Sequence, residues 1–158
     1  WYREMKVLGF HYRITEIQAS LGVSQMRKLD KYISQRRKLA SNYDQILRNI
    51  EFIKSAQDVN SKSSAHHLYP IEIDFTKTKV SKADLILELR NRGIGTQVHY
   101  MPIPLNPFYS NLGYLSEDIP NAVSYYYKAL SIPIYPGLRA SQQKKVIAEI
   151  VKILSANG

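Results

Sequence analysis

Apolar residues recur at steps of three and four, or multiples of these, through the first third of the chain. They are Ile17, Leu21, Leu29, Ile33, Ala40, Tyr43, Leu47 and Ile50. This spacing is typical of one face of an α-helix and predicts a long amphipathic helix. Thr15 and Gln18 have the spacing of a capping box, which predicts that the helix starts just after Thr15. Gly22 predicts a break or bend in it.

The pattern then predicts two strands, over 67–75 (HLYPIEIDF) and 94–100 (IGTQVHY), because both segments carry β-branched and bulky apolar side chains. Pro70 has no amide donor, so the first strand is expected at a sheet edge or with an irregularity there. The polar stretch 58–64 before it is predicted to be a loop.

Helices and one long loop account for the rest. Ser81 predicts the start of a helix that ends at a left-handed Gly93, and the prolines of 101–114 predict an irregular loop. The other predicted elements are a helix over 121–130, an extended piece over 131–137 and a helix over 141–154. This order predicts an α/β fold, or α+β sandwich. Helices cover one face of a few-stranded sheet, and a long N-terminal helix precedes it.

Charge suggests an anionic partner. The chain has 22 Lys and Arg against 13 Asp and Glu, a formal net charge of +9. This favours either nucleic acid or a phosphate-bearing small molecule, unless the charge is simply solvated surface. Nucleic acid is not expected, because no readout motif is present. The twelve tyrosines are interpreted as core and interface packing rather than as a platform for bases.

The absence of cysteine and of a long apolar run excludes further classes of protein. Without cysteine there can be no disulfide or thiolate metal site, which fits a reducing compartment and an expected cytoplasmic location. No apolar run approaches the roughly eighteen residues of a membrane-spanning helix, so no membrane partner is expected. The chain begins with Trp1 in what reads as mid-structure, so we expect it to be part of a longer protein.

Few residues lie in a pattern that is typical of a functional site. Histidines and carboxylates lack metal-ligand spacing, so no metal is expected. Arg13, at the entry to the long helix, favours binding of an anion such as phosphate, or is a surface arginine. His99, in the segment 97–102 that leaves a predicted strand, is a candidate to orient a substrate or carry a proton. The alternative is a buried structural histidine beside a structural Tyr100.

Four segments in order resemble one family. They are LGFHYRITEIQASLGVSQMRKLD, HHLYPIEI, RGIGTQVHYMPI and LSIPIYPGL. The series resembles the C-terminal region of DegT-type aminotransferases, which aminate nucleotide-linked keto sugars. Within that family it looks similar to enzymes that make 4-amino-4,6-dideoxy sugars for pseudaminic acid and related surface polysaccharides. The resemblance covers nearly the whole chain.

The resemblance implies the small C-terminal domain of a fold type I, pyridoxal-phosphate-dependent transferase. Residues 1–50 would form the cofactor-side motif and the interdomain helix, and residues 51–158 the small α/β domain. Ping-pong transamination between an amino donor and a nucleotide sugar is implied, in a homodimer whose sites use both subunits.

The family's site residues map onto this chain with one clear departure. His11 stands where the family has an asparagine that approaches the cofactor phosphate, and Arg13 matches, so both are expected to bind the cofactor. The expected substrate-binding residues are Tyr12, Gln97, His99 and Tyr100.

No lysine of the chain lies in a context that matches the Schiff-base lysine, so no catalytic residue is assigned. The chain alone is therefore expected to be inactive and to bind no pyridoxal phosphate. The alternative function is a non-enzymatic interaction or regulatory module derived from the same domain. Self-association to a homo-oligomer is also expected, because the first helix would expose apolar side chains.

Overall fold

A three-stranded antiparallel sheet lies at the centre of the fold. The structure is a computed structural model that describes residues 1–2, 4–56 and 63–155. The strands are β1 (Ile53–Ser55), β2 (Tyr69–Ile73) and β3 (Ala129–Ile132), in the order β1-β2-β3. The helices are α1 (Glu16–Met26), α2 (Leu29–Leu47), α3 (Lys82–Asn91), α4 (Pro107–Ser110), α5 (Pro120–Lys128) and α6 (Ala140–Ser155). Three short 3₁₀ turns lie at Phe75–Lys77, Ile103–Leu105 and Ser116–Asp118.

The hydrophobic core fills the space between one face of this sheet and α2, α3 and α6. Alternation along β2 directs Tyr69, Ile71 and Ile73 into the core, and each is at most 1% exposed. Tyr43 of α2 packs against Tyr69 with ring centroids 4.9 Å apart, and its hydroxyl donates to the carbonyl of Pro133 at 2.9 Å. The predicted α/β class is confirmed.

Helix α5 packs on the opposite face of the sheet. In the β2–β3 register Ser131 pairs with Pro70, so their side chains lie on the face away from the core. There the Ser131 hydroxyl is hydrogen-bonded to His99, whose ring contacts Tyr125 of α5. Helix α5 thus covers the face opposite to the predicted layer of helices.

The predicted long helix is two helices, and the break is not at Gly22. Thr15 forms the predicted capping box with Gln18. Gly22 lies inside α1, and α1 ends where the amide of Lys28 donates to Gln25, a tighter bond than the helical one. No residue of α1 is buried, whereas α2 buries Leu39, Ala40, Tyr43 and Leu47. Only α2 is amphipathic in the predicted sense.

The strand predictions were partly wrong. Pro70 lies in the central strand rather than at an edge. Its carbonyl accepts from the amide of Ala56 on the β1 side, just past the end of β1, so its ring nitrogen also faces that side and removes no bond to β3. The segment 94–100 forms only one isolated bridge, between Gln97 and Ser131. Strand β1 was missed.

The predictions of the later helices and of the loop between them agree more closely with the structure. Ser81 caps α3, and Gly93 (φ 75°) ends it with the two backbone bonds of a Schellman motif, Ile94 to Leu89 and Gly93 to Arg90. The loop predicted over 101–114 contains one 3₁₀ turn and the short α4. The helix predicted over 141–154 is α6, and the one over 121–130 is the shorter α5. Residues 58–62 of the predicted loop lie outside the described residues.

Arg36 of α2 ties distant parts of the chain together. Its Nη1 donates to the carbonyls of His66, His67 and Ile134, at 3.1, 3.0 and 3.0 Å. A guanidinium suits this role because it is always charged and carries several donors in fixed directions. The segment entering β2 and the segment leaving β3 are thereby fixed to the same helix.

Candidate functional site

The predicted cofactor-binding residues lie in an extended, exposed segment before α1. The backbone amide of Arg13 donates to Nδ1 of His11 at 3.0 Å, and the ring of Phe10 packs edge-on against Tyr12 at 6.0 Å between centroids. Tyr12 is 87% exposed and has a φ of 50°, a left-handed conformation that costs a non-glycine residue about 1–2 kcal/mol. The turn at Tyr12 brings His11 and Arg13 close to each other.

These residues fit the phosphate end of pyridoxal phosphate. Because Nδ1 of His11 accepts a hydrogen bond, a neutral ring carries its proton on Nε2, which is left as a donor. The guanidinium of Arg13 is exposed and matches the geometry of phosphate oxygens. The described residues before α1 are all exposed, so this segment does not enclose the pyridine ring of the cofactor.

Gln97 and His99 are held against the edge strand β3. The backbone of Gln97 exchanges two hydrogen bonds with that of Ser131, at 3.0 and 2.9 Å. Two residues later, Nε2 of His99 lies 2.8 Å from the Ser131 hydroxyl. The chain reaches this position because the Schellman turn at Gly93 reverses its direction after α3.

The surroundings of His99 favour its neutral form. Burial lowers the pKa of His99, and the nearby positive charge of Lys82 lowers it further. Burial also lowers the pKa of Lys82, whose Nζ donates to the carbonyl of Tyr126 at 2.5 Å and lies 5.1 Å from the centre of that ring. The His99 ring lies 5.8 Å from that of Tyr125, whose pKa is raised by burial and by Glu72.

The remaining candidates are open to solvent. The side chain of Tyr100 is 90% exposed, and Gln97 is also exposed. Within the described ranges, no hydrogen bond or ring contact joins the 11–13 segment to the 97–100 segment. The structure thus brings together Gln97 and His99, and separately His11, Tyr12 and Arg13.

Three neighbours of His99 were not predicted from the sequence, namely Lys82, Tyr125 and Ser131. Ser131 did leave a signal, because it is the one hydroxyl in the otherwise apolar run ALSIPI. Since side chains alternate along a strand, that serine faces away from the core side of Leu130 and Ile132. Lys82 and Tyr125 left no signal, because only the tertiary packing of α3 and α5 brings them to this face.

Two further features, metal binding and membrane crossing, concern the residues that the structure describes. No group of three or more His, Cys, Asp or Glu side chains lies close enough to hold a metal ion. None of the helices there is both long enough and apolar enough to cross a bilayer.

Comparison with known proteins gives consistent matches. Residues 1–151 match the DegT/DnrJ/EryC1/StrS aminotransferase family. The chain is 35% identical over 158 residues to the uncharacterized protein MJ1066 of Methanocaldococcus jannaschii, covering 99% of this chain and 41% of that protein. It is 33% identical over 155 residues to the UDP-4-amino-4,6-dideoxy-N-acetyl-beta-L-altrosamine transaminase of Campylobacter jejuni, covering 98% and 40%. The chain thus spans about 40% of the length of the curated relatives it matches.

Similarity to solved structures supports the same family as the sequence matches. The fold superposes on Helicobacter pylori PseC, an aminotransferase involved in the biosynthesis of pseudoaminic acid, with a TM-score of 0.85 at 27% identity. This match covers 97% of the present chain and 41% of PseC. The family match extends over nearly all of the chain, including both segments that carry the candidate residues. The chain therefore belongs to the DegT/DnrJ/EryC1/StrS aminotransferase family.

Proposed function

We propose that this chain forms the C-terminal, substrate-facing part of a pyridoxal-phosphate-dependent aminotransferase that acts on nucleotide-linked keto sugars. The observation that carries the proposal is His99 at the edge of β3, with its Nε2 2.8 Å from the Ser131 hydroxyl, within a chain of this family. The similarity to a Campylobacter jejuni transaminase of a UDP-linked amino sugar supports this substrate class. The proposal includes a role in surface polysaccharide synthesis.

Each candidate residue then has a specific role. His11 and Arg13 would donate to the phosphate of the cofactor, and Tyr12, Gln97, His99 and Tyr100 would contact the sugar nucleotide. When bound, pyridoxal phosphate supplies the electron sink for exchange of an amino group between the donor and the sugar. A neutral imidazole at His99 orients a sugar hydroxyl by hydrogen bonding without adding charge to the site.

Binding of a UDP-sugar probe tests the substrate class. On titration of the ¹⁵N-labelled chain with UDP-N-acetylglucosamine, we expect amide shifts centred on Gln97, His99 and Tyr100. The dissociation constant should be roughly 1 mM, because one chain offers only part of a site. His99→Ala should weaken binding about fivefold, the loss of one hydrogen bond.

Tyr127→Ala is the matched control, since it removes a 61% exposed aromatic from α5 and should leave the titration unchanged. Shifts scattered over the surface, or equal weakening by both substitutions, would contradict the proposed site. A chain that bound no UDP-sugar would instead support the alternative of a non-enzymatic interaction module.

We further propose that the chain alone does not catalyse transamination, because its lysines do not include the cofactor lysine. Lys82 is the sharpest test, since burial lowers its pKa and so favours the unprotonated amine that a Schiff base requires. Its Nζ, however, is half-buried and already donates to the Tyr126 carbonyl. After incubation with pyridoxal phosphate and borohydride, we expect mass spectrometry to find only scattered, substoichiometric adducts.

Lys82→Arg is the matched control, and it should give the same adduct pattern as the wild type. One lysine modified stoichiometrically, with a stable absorbance band before reduction, would overturn this part of the proposal. The cytoplasmic location and the division into segments 1–50 and 51–158 stay predictions.

A further inference from the structure

Ser131 is a buried polar residue of β3, and its hydroxyl contacts His99. It is 3% exposed and lies inside β3, where its backbone pairs with Pro70 of β2. On its other side it exchanges two backbone hydrogen bonds with Gln97, at 3.0 and 2.9 Å. The neighbouring backbone segments at Pro70 and Gln97 therefore fix the place of Ser131 in the sheet.

The direction of its hydroxyl bond follows from burial. A serine hydroxyl has one donor and two acceptor lone pairs, and a buried donor without a partner costs more than an unused lone pair. His99 Nε2, at 2.8 Å, is the hydrogen-bond partner of this hydroxyl. The Ser131 hydroxyl consequently donates, and Nε2 of a neutral His99 accepts.

We propose that Ser131 is a positioning residue for His99: its hydroxyl donates to Nε2, holds the ring as the Nδ1–H tautomer, and makes Nδ1–H the group that a ligand meets. A neutral imidazole has one donor and one acceptor, so fixing the acceptor fixes the donor. The proposed contact of His99 with substrate rests on the proposed function, but the tautomer does not. His99 would then donate to a sugar hydroxyl or ring oxygen rather than accept from it.

A serine next to a histidine also suggests a nucleophilic pair, and the geometry argues against that use. The Ser131 side chain is buried within the sheet, where a substrate carbon cannot approach its oxygen. Its proton donation orients the ring, which remains the group open to a ligand.

The tautomer of His99 is measurable on the 158-residue chain by long-range ¹H–¹⁵N correlation of labelled histidines, with His99→Gln to assign the signal. We expect the wild-type chain to show mainly the Nδ1–H pattern at neutral pH. In Ser131→Ala the majority tautomer should change to Nε2–H, the form that free imidazole rings of histidine prefer. Ser131→Thr keeps the hydroxyl and should restore the Nδ1–H pattern.

A pH titration supplies a second measurement. The groups that face His99 are Lys82 of α3 and Tyr125 of α5, and both are unchanged in these variants. A bond donated to the neutral ring disfavours protonation, so the pKa of His99 should rise in Ser131→Ala and return in Ser131→Thr. Ser124→Ala, at an exposed position on α5, should change neither readout.

A dominant Nε2–H tautomer in the wild-type chain would overturn the inference, and so would an unchanged tautomer in a folded Ser131→Ala variant. The wild-type spectrum decides the question even if Ser131→Ala fails to fold. Because the measurement needs neither cofactor nor sugar, its failure is distinct from failure of the UDP-sugar titration.

Discussion

Tyr43→Ala is expected to lower the free energy of unfolding by about 3–5 kcal/mol, the usual cost of removing a large buried aromatic. Tyr43 is fully buried, its ring packs on Tyr69, and its hydroxyl donates to Pro133. Burial raises its pKa, so the hydroxyl stays protonated as a donor at neutral pH. Urea denaturation followed by circular dichroism measures the loss.

Two further variants separate the ring from the hydroxyl. Tyr43→Phe keeps the packing and removes the hydroxyl that donates to Pro133, so it should cost about 1 kcal/mol. Tyr114→Ala, at a side chain 55% exposed, should stay within about 0.5 kcal/mol of the wild type. If Tyr43→Ala cost no more than Tyr114→Ala, the core described above would be wrong.

Leu21→Glu is expected to weaken self-association of the chain by roughly tenfold or more. Apolar side chains without a cover run from Trp1 through α1, and Leu21 is 62% and Ile17 83% exposed. We propose that a second copy of the chain covers this surface. Losing a leucine that becomes buried there would remove about 1.5–3 kcal/mol of association free energy. Sedimentation velocity over a range of concentrations measures the change.

Ser24→Glu provides the comparison, because it adds the same charge to α1 without removing an apolar side chain. Its dissociation constant should stay close to the wild-type value. A clean wild-type monomer at high concentration would contradict the proposed self-association, and equal effects of both substitutions would show that charge alone is responsible.

The sequence predicted the helix caps and ends that depend on hydrogen bonds between neighbouring residues. The capping box at Thr15, the cap at Ser81 and the left-handed Gly93 all appear as expected, because each is satisfied by neighbours within a few residues. The break between α1 and α2 was misplaced at Gly22, since a glycine inside a helix lowers its stability without necessarily ending it.

Strand pairing was harder to predict, because it depends on distant partners. Pro70 is tolerated in the central strand only because β1 ends opposite it. The segment around Gln97 has strand composition, yet it meets β3 at a single bridge. Neither outcome can be deduced from the composition of the segment itself.

The candidate site also combines features predictable from local sequence with features that depend on distant residues. His99 could be singled out because it follows an extended segment and precedes a proline-rich loop. Its hydrogen bond to Ser131 spans 32 residues of sequence, and its pKa is lowered by burial in the fold and by Lys82 of a separate helix. The sequence therefore indicated which side chain to consider, while its charge state depended on the fold.

The hydrogen bonds from Arg36 to distant backbone carbonyls have a consequence for synthesis of the chain. Its bond to Ile134 joins residues 98 apart in sequence, and the buried Gln143 of α6 donates to Leu39 across 104 residues. Helix α2 therefore cannot complete its packing on the ribosome until Gln143 has emerged from the exit tunnel. Until then Leu39, Tyr43 and Leu47 lack part of their native cover, and apolar surface exposed in this way makes a nascent chain prone to aggregation.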